Sequence, residues 1–140
     1  MGKNDEPINE ENNQQELIMK FGMFEQQLRQ IQENIHIVDQ NINELASLRL
    51  DLDNLKSKEG EEILAQVGRG IFIKSKILSE DLIVDIGGKN YVKKTIEETK
   101  EIIGNQLEKL EKVKGELMSM IEGINQEINE MIIHTKNNKE

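Results

Sequence analysis

The sequence predicts an α+β fold: a long antiparallel two-helix coiled coil with two β-hairpins at the turn. Three observations carry this expectation. Two proline-free segments space their apolar residues by alternating steps of four and three. The stretch between them holds five of the ten glycines and short alternating apolar runs. Aromatic residues make up only 3% of 140 residues, too few for a conventional globular core.

In chain order, residues 1–13 are polar, contain the only proline (Pro7) and read as a disordered acidic tail. Residues 14–57 form the first coiled-coil helix. Its seam runs Leu17, Phe21, Phe24, Leu28, Ile31, Ile35, Val38, Ile42 and Leu45 without a break. A stripe this narrow is a coiled-coil seam, not the broad face of a globular helix. The next seam position is Arg49. Leu48, Leu52 and Leu55 continue the stripe with a changed step, which predicts local overwinding.

Residues 58–95 are expected to be two hairpins. Ile63–Val67 and Ile71–Ile77 flank Gly68-Arg69-Gly70, with Ile71, Ile73 and Ile77 on one face. Leu82–Ile86 alternates, Gly87-Gly88 supplies a two-residue turn tolerant of positive φ, and Lys89–Lys93 returns. Residues 96–136 repeat the heptad pattern through Ile103, Leu107, Leu110, Lys114, Leu117, Ile121, Ile124, Ile128 and Met131, and residues 137–140 are a short tail. Pairing the helix ends gives partner numbers summing to about 152–153. Leu17 then lies near Thr135, Phe24 near Ile128, and the seam charge Lys114 near Asp39. Gly22, Gly104, Gly115 and Gly123 sit inside the helices, each costing about 1 kcal/mol relative to Ala.

Composition excludes several function classes. The net charge is −9 and the pI about 4.9, a poor match for nucleic-acid phosphates. No apolar run exceeds three residues, so no membrane span is expected. The N-terminus shows no apolar stretch of a secretory signal, and there is no cysteine for a disulfide or thiolate metal site. These features fit a cytoplasmic protein. His36 and His134 do not meet in the expected register, so neither a metal site nor a general base is predicted. Gly68-Arg69-Gly70 and Gly87-Gly88-Lys89 lack the pattern of a phosphate loop. No enzyme and no cofactor are expected.

Two hairpins cannot bury both of their faces, and they leave open edges. The chain is therefore expected to be an oligomer subunit; a β cap packed on its own helices as a monomer is the alternative. The order helix, two hairpins, helix, with ILAQVGRGIFIKSKI followed by LIVDIGGKNYVKK, resembles the α-type subunits of the prefoldin family. The resemblance covers residues 14–136. It implies oligomerisation into a β-barrel platform of two α with four β-type subunits. It further implies that coiled-coil tips capture unfolded client proteins and deliver them to a group II chaperonin without ATP. Neither nucleic acid nor membrane is an expected partner.

In that arrangement residues 14–24 and 128–136 come together at the tip. Leu17, Phe21, Phe24 and Met131 are seam positions there, while Ile18, Met19, Met23, Ile132 and Ile133 lie off the seam. This apolar excess is the expected substrate-binding site, because exposed apolar surface on a polar stalk marks an interaction and methionine adapts to many shapes. The alternative is that these residues close the end of the coiled coil. Assembly contacts are expected from Ile71, Phe72, Ile73, Ile77, Leu82, Val84 and Ile86. Lys74, Lys76, Lys89, Lys93 and Lys94 read as solvated faces and edge guards. Two other roles stay open: self-assembly through β edges into filaments, and an adaptor with a socket for one partner helix.

Overall fold

A computed structural model describes the chain over residues 5–139, with side chains placed for 11–137. The order is α1 (Asp5–Asp53), β1 (Glu62–Gly68), β2 (Ile71–Lys76), β3 (Leu82–Asp85), β4 (Tyr91–Lys94) and α2 (Ile96–Lys139). Compactness divides these into two units. A terminal unit contains residues up to Asp39 and from Lys112 onward; a central unit contains Gln40–Glu111.

α1 begins at Asp5, inside the segment whose composition predicts a disordered tail. Pro7 does not prevent this, because it falls in the first turn, where backbone N–H groups lack intrahelical partners. Residues 1–4 of the expected tail lie outside the described residues, as does residue 140 of the expected C-terminal tail. The rest of that C-terminal tail is helical as far as Lys139.

In the terminal unit, Leu17, Phe21, Phe24, Leu28, Ile31, Ile35 and Val38 are the half-buried or buried apolar positions of α1. Leu117, Ile121, Ile124, Ile128 and Met131 are their counterparts on α2. The seam read from the sequence is thus the buried stripe. Lys114 Nζ lies 2.8 Å from Asp39 Oδ1, so the seam charge meets the partner that the expected register assigns to it.

In the central unit the register is the same. Asp53 pairs with Lys100, Lys56 with Glu97, and Arg49 faces Gly104. The expectation that Leu48 enters the stripe is corrected here, because Leu48 is exposed and Leu52 is buried. Leu52 follows Leu45 by one full heptad, so the seam keeps its phase across the Arg49 layer. The Arg49 guanidinium lies over Gly104, 3.8 Å from where a Cβ would stand. A glycine leaves room for the flat guanidinium where a leucine knob is missing.

α1 ends at Asp53, four residues before the expected boundary. Asn54, Leu55 and Lys56 each donate to the carbonyl three residues back, and Ser57 turns left-handed at φ 61°. α2 starts with a capping box. Glu98 N–H donates to Thr95 Oγ1 at 3.0 Å, and Thr95 N–H donates back to Glu98 Oε1 at 3.4 Å. Leu52, Ile96 and Ile103 form the buried cluster, with Leu45, Leu55, Leu82 and Leu107 packed against it. Leu82 fastens the second hairpin to the helices.

The two hairpins form separate two-stranded sheets. β1 and β2 pair antiparallel, Ala65 opposite Ile73 and Gln66 opposite Phe72, with a register shift between Gln66 and Gly68. Arg69 and Gly70 close the turn with φ of 31° and 79°. β3 and β4 pair Val84 with Val92 and Asp85 with Tyr91. Here the expected Gly87-Gly88 loop is one residue off. Asn90 N–H donates to the Gly87 carbonyl at 3.1 Å, and the two residues between are Gly88 and Lys89, at φ 59° and 63°. Two left-handed central residues are the pattern of a type I′ turn.

Candidate functional site

Both units expose apolar side chains. In the terminal unit, Ile18 is 70% exposed, Met19 68% and Ile133 58%, with Met23 and Ile132 also open. Their seam neighbours Leu17, Phe21, Phe24 and Met131 are half-buried. Heptad geometry explains the split: seam positions face the other helix, and the residues between them point outward. Leu17, Phe24 and Met131 also line a groove with Lys20, Glu130 and His134, so even the seam side chains are reachable there.

Sequence reasoning missed further exposed apolar residues on the same unit. Ile37, Val113, Met118 and Met120 all lie outside the seam and are exposed. Their signal was present as apolar residues off the 4–3 pattern, Ile37 on α1 and Val113, Met118 and Met120 on α2. A second groove joins Met23, Gln27, Gln30 and Ile31 of α1 to Met120, Gly123, Ile124 and Glu127 of α2. Only the antiparallel pairing brings these positions together.

In the central unit, Ile71, Phe72, Ile73 and Ile86 of the expected assembly set are exposed, while Ile77 and Val84 are half-buried. Leu82 packs against the core of its own chain. Leu64, Val67, Leu78, Ile83 and Tyr91 are exposed as well, Leu78 to 84%. Pairing puts Ile63, Ala65 and Ile73 on one face of the first hairpin, and Leu64, Gln66 and Phe72 on the other. Both faces therefore offer apolar side chains to a neighbour. The second hairpin differs: Leu82, Val84 and Val92 face inward, and Ile83 and Tyr91 face out.

Charges cluster where α1 gives way to α2. Lys100 Nζ lies 2.7 Å from Asp53 Oδ1, and Lys56 bridges Asp53 at 3.6 Å and Glu97. The hydrogen bond from Lys100 holds the Asp53 carboxyl below its ordinary value. The bond from Lys56 lowers Glu97, and Glu97 in turn raises Lys56. Glu80 accepts from Ser57 N–H, tying the inter-hairpin connector to the end of α1. Asp53 and Lys100 are half-buried, Lys56 and Glu97 are exposed, and all four are paired with one another at the adjoining ends of α1 and α2. No helix among the described residues is long and apolar enough to cross a membrane.

A helical hairpin that carries two β-hairpins with open edges and apolar faces defines a class of assembling coiled-coil subunits. The prefoldin subunit family model matches residues 24–137, and the chain belongs to the prefoldin family. It is 35% identical over 97 residues to prefoldin subunit alpha of Methanobrevibacter smithii, covering 69% of this chain and 66% of that one. It is 32% identical over 116 residues to prefoldin subunit alpha of Methanopyrus kandleri, covering 81% and 73%. The chain thus spans just under two thirds of the length of the M. smithii relative. A filamentous prefoldin from Methanocaldococcus jannaschii, solved by cryo-electron microscopy, shares the fold at a TM-score of 0.74 and 21% identity. That likeness covers 82% of this chain and 97% of the other.

Proposed function

We propose that this chain is a chaperone subunit that holds unfolded proteins without ATP in the cytoplasm and passes them to a group II chaperonin. The observation that carries the reading is the exposed apolar set Ile18, Met19, Met23, Ile132 and Ile133, drawn from the start of α1 and the end of α2. Burying one such side chain yields about 1.5–3 kcal/mol, and association costs at least about 4 kcal/mol. One helix pair therefore holds a client weakly. Several on one assembly raise avidity by roughly 10²–10⁴ through effective concentration. Weak single contacts also allow release without a nucleotide. The β-hairpins supply the assembly, two α-type with four β-type subunits closing a β-barrel platform through Ile71, Phe72, Ile73 and Ile86.

The test is the aggregation of an unfolding client in the presence of the reconstituted complex. Replacing Ile18, Met19, Met23 and Ile133 by Ser abolishes most of the protection while the native mass of the complex stays the same. Unchanged protection refutes the reading. A second reading, self-assembly into filaments, is favoured by the exposed faces of both hairpins and by the filamentous state of the M. jannaschii relative. Native mass over a concentration series separates the two. Growth of the chain alone without limit supports the filament, and conversion to one discrete complex on adding a β-type subunit supports the platform.

A further inference from the structure

The groove between Met23–Ile31 of α1 and Met120–Glu127 of α2 has a chemistry of its own. Its base is apolar, with the half-buried Ile31 and Ile124. Exposed Met23 and Met120 flank it, one from each helix. The space over Gly123 is open: a Cβ placed there would meet no atom within 4 Å. The groove is also lined by Gln27 and Gln30, and its charged lining residue is Glu127.

Each feature selects a kind of occupant. A helical ligand has already satisfied its backbone amides, whereas an extended one has not. Glutamine carboxamides carry both donor and acceptor, so they bond an extended backbone whatever its side chains. Methionine accepts apolar side chains of varied shape. The charge bias is toward cations, since Glu127 lines the groove, Glu122 and Glu130 neighbour it on α2, and the cation of α1 between Met23 and Ile31, Arg29, is 3.7 Å from Glu25. From Met23 to Ile31 the helix rises about 12 Å, enough for roughly four residues of extended chain.

We propose that this groove binds a short extended segment of unfolded polypeptide in which a bulky apolar side chain stands beside Lys or Arg. The inference rests on the chaperone reading and names the segment it prefers. Gly123 gives the proposal a plug that does not weaken the helix, since Phe is a better helix former than Gly. Gly115 is the control. It is also open, with nothing within 4 Å of a Cβ, and it is not among the residues lining the groove.

The experiment titrates the reconstituted complex with three six-residue peptides that share a central Leu-Phe and differ in their flanks: Lys, Gln or Glu. Binding is followed through the methionine methyl resonances. Affinity is expected to fall about two- to fivefold at each step from Lys to Gln to Glu, the range of exposed charge pairs. Gly123→Phe removes the response of Met120, which lines this groove and not the one at Leu17 and Met131, Gly115→Ala leaves it unchanged, and Glu127→Gln levels the three peptides. Equal affinity for all three peptides, or an unaltered response in Gly123→Phe, overturns the inference. If that happens while the wild-type complex still protects an unfolding client, the chaperone reading survives and only the groove falls. If the complex neither protects a client nor binds any peptide, both fall.

Discussion

Replacing Gly22, Gly115 and Gly123 together by Ala should stabilise the terminal unit. A glycine inside a helix costs about 0.5–1 kcal/mol relative to Ala, mainly through the freedom its backbone loses. Such a residue persists where a close approach needs it, and none does here: an added Cβ meets nothing within 4 Å at any of the three positions. Gly115 and Gly123 are eight residues apart, about 12 Å along α2, and Gly22 is on the other helix, so the gains should add. The sum is about 1.5–3 kcal/mol, or roughly 10- to 150-fold slower amide exchange in the surrounding turns. Hydrogen exchange followed by mass spectrometry on peptides from residues 14–39 and 112–136 reads this directly. Exchange that is unchanged or faster would refute the reasoning, since it would mean that these glycines meet a constraint that the packing does not show. Measuring client protection on the same variant then separates two roles. Full protection means that the glycines are merely tolerated, and a loss of protection shared by the Gly22→Ala, Gly115→Ala variant, which leaves the groove at Gly123 alone, means that soft helices are part of capture.

Other expectations concern the charge cluster and the seam. Asp53 and Glu97 have lowered values, so their contribution is complete above their ordinary values of 3.8 and 4.5 and is lost as pH falls through the folded values below them. Lys56 is raised, so its contribution holds below its ordinary 10.5 and is lost only as pH rises through the folded value above it. Melting of the central unit should therefore be level from about pH 5 to pH 10 and fall below pH 4; a maximum at low pH contradicts the pairing. Lys114→Leu fills a seam position now given to a half-exposed ion pair, and it should raise the denaturant midpoint by up to about 1 kcal/mol in equivalent stability. A lower midpoint would show that the pair with Asp39 outweighs an apolar knob. Thr95→Ala removes one arm of the capping box and should cost about 1 kcal/mol, with Thr95→Ser restoring most of it. Equal loss in both variants would assign the effect to the methyl group instead.

Much of this fold was legible because a coiled coil repeats its one rule. The seam from Leu17 to Leu45 could be read by spacing alone, and the buried residues of α1 follow it. The register could be read by pairing the ends of two helices of nearly equal length, and it puts the seam charge Lys114 beside Asp39, where the ion pair stands. The Arg49 layer was misread because it depends on a pair across the helices, a flat guanidinium over Gly104, that neither helix shows by itself. The second turn was misplaced by one residue for a similar reason. Two adjacent glycines look like the loop, but the ladder of Val84 with Val92 centres on Gly88, and the bond from Asn90 N–H to the Gly87 carbonyl closes the turn over Gly88 and Lys89. The off-seam residues Ile18, Met19, Met23 and Ile133 were legible as exposed because a heptad says which positions face outward. The groove at Gly123 was not, since it exists only where two helices meet.

The most direct test of the central claim uses probes the chain already carries. Met19, Met23, Met118, Met120 and Met131 all belong to the terminal unit, and four of them are exposed. Methyl-labelled complex is titrated with a permanently unfolded, reduced and alkylated protein. The account predicts that Met19, Met23, Met120 and Met131 shift and broaden, while Met118, on the opposite flank of α2 from Met120, changes least. Unmoved methionines, with the perturbation confined to isoleucine methyls of the hairpins, would contradict it.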